Sequence, residues 1–109
     1  MLKQINISEL SSLKVSCEKL LLIECFSKTS TGSFLVELSL NEILEDHSEL
    51  IETFKIDVDD NKNIIQEYNL YSFPALLFFE NGNLIEIIHG PTTKSVILSK
   101  IEKITKKLT

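Results

Sequence analysis

Leu20-Leu21-Leu22-Ile23-Glu24-Cys25-Phe26-Ser27-Lys28-Thr29-Ser30-Thr31-Gly32-Ser33 is the stretch on which the fold turns. Its first seven residues are short and almost wholly apolar. That is the pattern of a central strand covered on both faces. Its second half is polar and holds a glycine. Directly after it, Val36, Leu40, Ile43, Leu44 and His47 recur at helical spacing, with Glu37, Glu42, Glu45 and Asp46 between them. The segment therefore predicts a buried strand, a polar loop and an amphipathic helix with one apolar stripe.

Outward from this centre the pattern continues. Ile51 to Val58 alternates Phe54, Ile56 and Val58 with Lys55 and Asp57, which predicts a strand. Asp59 or Asp60 is the expected cap of a short helix through Ile64, Ile65 and Tyr68, ending near Asn69. Pro74 marks a break before the strand Ala75 to Phe79. Asn81-Gly82 predicts a tight hairpin, because both positions tolerate positive φ. Leu84 to Ile88 returns as its partner, and Gly90-Pro91 closes it. Val96, Ile97, Ile101, Ile104 and Leu108 make the stripe of a last helix. On the N-terminal side, Ser8 is the expected start of a helix carrying Leu10, Leu13 and Cys17, and a short strand is expected around Lys3 to Ile5. A strand–helix–strand unit implies a parallel crossover and the hairpin an antiparallel edge. The expected fold class is α/β, with a mixed sheet between helices.

The totals bound what such a chain does. Its 109 residues fit a single domain, and 43% of them are hydrophobic. The net charge is −5 and every basic residue is lysine. Nucleic-acid binders usually carry a basic face with arginine forks, so no nucleic acid is expected. The cluster Lys94, Lys100, Lys103, Lys106 and Lys107 reads as the solvated face of the last helix. No stretch approaches the roughly 20 apolar residues that span a bilayer. Met1 to Leu10 has no apolar core of signal-peptide length. No membrane partner and a cytoplasmic location are the expectations. Cys17 and Cys25 read as small structural hydrophobes. They are too few for a metal site with any ligands collected nearby, so no metal and no cofactor is expected.

The order of elements and their spacing resemble thioredoxin across nearly the whole chain. Four features carry the likeness: Leu21 to Ser33, Lys55-Ile56-Asp57-Val58-Asp59, Tyr68 through Pro74 to Phe79, and Asn81-Gly82 with Gly90 beyond. The resemblance implies a thioredoxin-like three-layer fold over 1–109. In it a sheet of four to five strands is flanked by about four helices. It places Ser30 and Ser33 where the family has its two redox cysteines, so the loop is Ser-Thr-Gly-Ser in place of Cys-x-x-Cys. It makes Pro74 the family's cis-proline. It sets Glu24 at the family's buried acid, Thr29 at its usual aromatic, and Leu38 where a helix-kinking proline is frequent. The implied substrate groove runs between Thr29, Thr31 and Gly32 on one side and Phe73 and Pro74 on the other.

Disulfide exchange needs a thiolate nucleophile and a second thiol to resolve the mixed disulfide. Serine supplies neither. Ser30 as an alternative nucleophile needs an adjacent base. The two histidines are His47, toward the far end of the second helix, and His89, near the end of the last strand. Neither belongs to a hydrolase motif. The bland reading of both serines is a helix cap and a solvated turn. An isolated carboxylate at Glu24 is costly, and either its pKa rises or it pairs with Lys55 on the next strand.

Three functions are compatible with these residues. The first is a redox-inactive module that holds a protein or peptide partner in the groove. The second is a thiol–disulfide oxidoreductase of cell redox homeostasis with both cysteines of a Cys-Thr-Gly-Cys site changed to serine. A reductase partner follows only in that case, and the protein-disulfide reductase activity requires cysteine at 30 and 33. The third is a structural or assembly domain.

Overall fold

The computed structural model describes residues 2–107. Nine elements follow one another: β1 (Lys3–Gln4), α1 (Ile7–Ser16), β2 (Leu20–Phe26), α2 (Ser33–His47), β3 (Ile51–Asp57), α3 (Asn63–Tyr68), β4 (Ala75–Glu80), β5 (Asn83–His89) and α4 (Lys94–Thr105). The sheet order is β1-β3-β2-β4-β5. β3 pairs parallel with β1 and β2, while β4 runs antiparallel to both β2 and β5. This is the expected three-layer mixed sheet, with β2 at its centre.

Alternation along β2 explains why it is apolar throughout. Leu21, Ile23 and Cys25 enter one cluster with Leu10, Ile64 and Leu70. Leu20 and Leu22 enter the opposite cluster with Val36, Leu40, Ile43, Ile97 and Ile101. One face thus packs on α1 and α3 and the other on α2 and α4. Successive side chains of a strand point to opposite faces. Glu24 therefore shares the α2 face with Leu22.

Local chemistry sets the ends of the elements, and three expectations are corrected. Asn6, not Ser8, caps α1. Its Oδ1 accepts from the Glu9 amide at 2.9 Å while Glu9 Oε1 accepts from the Asn6 amide at 3.0 Å. This reciprocal capping box satisfies two otherwise orphaned donors. Neither Asp59 nor Asp60 caps α3, which starts at Asn63 with no side-chain cap. Asp59 instead accepts from the Lys28 amide at 3.0 Å, and Asp60 lies 3.8 Å from the Lys28 ammonium. β3 stops at Asp57, one residue before Val58. The Asn81-Gly82 turn is as expected, with φ of 52° and 83°. The β4–β5 ladder carries an irregularity at Phe78/Phe79 that the hairpin signal does not encode.

In α4, Ile97 and Ile101 are buried, and Leu108 lies outside the described residues. Lys94 pairs with Glu42 at 3.4 Å and Lys100 with Glu86 at 3.2 Å, so part of the lysine cluster is engaged with neighbouring elements. Among the described residues no helix is long and apolar enough to cross a membrane.

Candidate functional site

β2 ends at Phe26 and the polar loop folds back on itself before α2 begins. Ser30 Oγ donates to the Ser27 carbonyl at 2.8 Å and accepts from the Ser27 amide at 3.3 Å. Ser30 Oγ and Ser33 Oγ are 2.6 Å apart. A hydroxyl has one proton to give. Ser30 gives its proton to Ser27, so Ser33 is the donor between the two serines. The pair is a closed hydrogen-bond chain rather than an activated nucleophile.

The two serines do meet, as the Cys-x-x-Cys spacing implies. Neither acts as the cap of α2. That place belongs to Gly32, with φ 86° and no side-chain cap bond. Ser33 is the first residue of the helix, and Thr29 and Thr31 are exposed on the loop.

Gly32 also binds the loop to the other wall of the site. A Cβ built at Gly32 would lie 3.0 Å from Pro91 Cγ. Next to Pro91, the Gly90 amide donates to the Pro74 carbonyl at 2.8 Å. Loop, Gly90-Pro91 and Phe73-Pro74 are thus fastened in one patch. The Phe73–Pro74 peptide is cis. Pro74 is buried and Phe73 half-buried. Gly32→Ala combines an unfavourable positive φ with a contact too tight for a methyl group. It is expected to lower stability by about 1–3 kcal/mol in denaturant unfolding. An unchanged midpoint would show that Pro91 yields freely.

Beneath the loop lies a charged cluster that alters the reading of Glu24. Glu24 is 1% exposed, and neither carboxylate oxygen has a hydrogen-bond partner. Its pKa is pushed up to about 8, mainly by burial and then by the nearby charge of Glu37, against an opposing pull from Lys55. Of the two alternatives for Glu24, the raised pKa holds and the ion pair with Lys55 is not formed. Lys55 is opposite Glu24 in the β2–β3 register, yet its ammonium turns to Glu37 on α2, at 3.1 and 3.3 Å from the two oxygens. Glu37 Oε2 also accepts from the Leu2 amide at 3.3 Å. A carboxylate that also accepts from an amide is the better partner for this half-buried lysine.

Glu37 is a functional residue that periodicity does not single out: it falls among the polar residues of α2, yet it is buried. Its spacing of i, i+3, i+7 with Leu40 and Leu44 was the available signal. A second omission is the stack of Tyr71 on His89, with ring centroids 3.8 Å apart. It leaves His89 engaged with Tyr71, while His47 is the last residue of α2. No histidine is among the hydrogen-bond partners of Ser30.

The cysteines lie elsewhere. Cys25 is fully buried, and desolvation, followed by the charge of Glu24, pushes its thiol up to about 12. Cys17 is the C-cap of α1, its Sγ 3.2 Å from Glu52 Oε2, and burial raises its pKa too. Both are free thiols, and neither is activated.

The family model for thioredoxin matches residues 5–103. The chain belongs to the thioredoxin family. A chloroplastic M-type thioredoxin of Spinacia oleracea is 35% identical over 69 residues, which is 63% of this chain and 38% of that protein. A thioredoxin of Pyropia yezoensis is 33% identical over 69 residues, 63% of this chain and 64% of the relative. In each case the match spans less than two thirds of the relative's own length. The oxidized crystal structure of mitochondrial thioredoxin 3 from Saccharomyces cerevisiae superimposes with a TM-score of 0.83. It covers 94% of both chains at 18% identity, a likeness of fold alone. Within this thioredoxin-family chain, residues 30 and 33 begin and end the loop that packs against Pro91, and both are serine.

Proposed function

We propose that this thioredoxin-family chain, with serine at 30 and 33, holds an extended segment of a protein or peptide partner without exchanging disulfides. The observation that carries the reading is the 2.6 Å contact between the Ser30 and Ser33 hydroxyls, closed on the Ser27 carbonyl. A serine hydroxyl does not ionise near neutral pH and forms no disulfide, so the loop contributes polar surface and no redox couple. What remains is suited to binding. Phe73 presents a half-buried ring beside Pro74. Phe34 and Leu35 leave large apolar surfaces exposed in the first turn of α2. By the family resemblance, the Phe73 main chain beside this ring offers strand-like hydrogen bonds to an extended peptide.

Two measurements test this. In an insulin reduction assay with a chemical reductant, the chain is expected to give no turnover above the reductant alone. Measured turnover would end the proposal. Peptides selected from a displayed random library on the immobilised chain supply the binding probe. Phe73→Ala is expected to weaken the selected peptides about tenfold or more, since a buried aromatic anchor is worth roughly 1.4 kcal/mol or above. Equal affinity for the variant, or no selectable peptide, removes the groove from the account and leaves a structural domain.

A second reading is favoured by Glu24. A buried, unpartnered acid is expensive to keep beneath a loop that moves no protons. It has a use if the scaffold serves a thiol–disulfide oxidoreductase whose two cysteines are serine in this sequence. In that role a protonatable carboxyl would exchange a proton with the resolving thiol.

A further inference from the structure

Two buried carboxylates and one lysine converge between the sheet and α2, and the lysine has satisfied only one of them. Lys55 stands across the β2–β3 ladder from Glu24 on the same face. Its ammonium is bound by both oxygens of Glu37 and lies 5.6 Å from the centre of the Phe26 ring. Glu37 in turn accepts from the Leu2 amide, next to β1. β1 has only two residues, which pair with β3 at Phe54 and Lys55, and the Ile5 amide just beyond it donates to the Lys55 carbonyl at 2.9 Å. So short an edge strand is held by few main-chain bonds, together with the buried Leu2 and Ile5 side chains on either side of it.

We propose that Glu24, Glu37 and Lys55 form a two-position device in which Lys55 pairs with Glu37 while Glu24 carries a proton. When Glu24 ionises, Lys55 turns to it and frees β1 from its anchor at Glu37. The physical reason is charge balance in a dry site. With Glu24 neutral, the cluster holds one cation and one anion. With Glu24 ionised it holds two anions, and the single ammonium, bound by both Glu37 oxygens, is drawn toward the second. Glu37 is nearer the surface than Glu24, so it is the carboxylate that turns toward water and gives up Leu2. The raised pKa of Glu24 agrees with this geometry.

The neighbouring elements meet this cluster with apolar side chains, and the one further carboxylate the strand alternation brings to the face among the described residues has partners of its own. β4 presents Leu76 opposite Glu24, and α4 brings Ile97 and Ile101 to this face. On β3, Asp57 shares the face by alternation. It accepts from the Asp59 amide at 2.9 Å and lies 3.5 Å from the Lys28 ammonium. On β2 itself, Cys25 points into the opposite cluster. The device is independent of what the groove binds, so it stands or falls apart from the proposed function.

Nuclear magnetic resonance of the full chain tests it across pH 5 to 10. The side-chain carboxyl carbon of Glu24 and the backbone amide of Leu2 are expected to titrate with one shared midpoint. Amide exchange at Leu2, corrected for the intrinsic pH dependence, should accelerate through that same midpoint. In Glu24→Gln the Leu2 transition is expected to vanish while its low-pH protection is kept. In Glu37→Gln, Lys55 is free for Glu24, and the Glu24 midpoint should fall by about one pH unit or more. A Leu2 transition that persists in Glu24→Gln overturns the proposal. So does a Glu24 midpoint unmoved in a folded Glu37→Gln. If Glu37→Gln does not fold, the Glu24→Gln comparison alone decides.

Discussion

Replacing Glu24 with leucine is expected to stabilise the protein at neutral and alkaline pH and to leave a much smaller effect near pH 4. The sign follows from linkage. The carboxyl has an ordinary value of 4.5 and is raised to about 8 in the folded chain, chiefly because burial disfavours its charged form. Between these two values the folded state keeps a proton that the unfolded state has released. Stability therefore falls as pH climbs from about 4.5 to about 8, and the loss is complete above that. At 1.36 kcal/mol per unit, this side chain costs about 3 kcal/mol at pH 7 and about 5 kcal/mol beyond pH 8, as orders of magnitude. Leucine carries no such dependence and adds apolar contact on the α2 face, where Leu22 and Leu76 already pack. The Lys55–Glu37 pair stays in place, so no second charge is orphaned. Denaturant unfolding of both chains at pH 4.5, 7 and 8.5 measures the difference directly. A difference that does not grow with pH would mean that Glu24 meets water in the folded state.

A cost of that size is informative because the same carboxylate was visible in the sequence. One acidic residue inside Leu20–Phe26 is enough to mark a buried charge, and the length of the apolar run is enough to mark a central strand. The hairpin was equally plain, since Asn81-Gly82 admits few other backbone conformations. Partner choice was not plain. The register puts Lys55 beside Glu24, but Glu37 reaches the ammonium from another layer, and strand periodicity says nothing about a helix above it. Periodicity marks apolar positions. A glutamate on the border of an apolar stripe reads as part of the polar face until the neighbouring element is in place.

The same limit explains Asp59 and Asp60. A pair of aspartates ahead of a helical segment has the chemistry of a cap, but a lysine and a free amide at Lys28 compete for it. Folding brings that competitor from the loop after β2. The loop itself was legible in position and composition. Its closure onto Pro91 was not, because a glycine announces permission for positive φ and not the surface it will meet.

Placing cysteine at both 30 and 33 is expected to yield a chain that reduces insulin disulfides. The rate should rise on the order of 10² or more above the serine chain. The reason is that the substitutions supply the one missing component. The two Oγ atoms already lie 2.6 Å apart, so the side chains at 30 and 33 meet across the turn that leads into α2. Free amides at a helix start favour a thiolate there. Glu24 holds a proton near neutral pH and is positioned on the α2 face of the adjoining strand. Adding Glu24→Gln to the double cysteine chain should then slow turnover and flatten its pH profile between about 7 and 9, while leaving the insulin-independent fold intact. That combination would mean that the buried acid is matched to a dithiol, and that the serine loop sits in a scaffold still arranged for exchange. A folded double cysteine chain without turnover would end the oxidoreductase reading. The cost carried at Glu24 would then have to be explained by the lysine it shares with Glu37 alone.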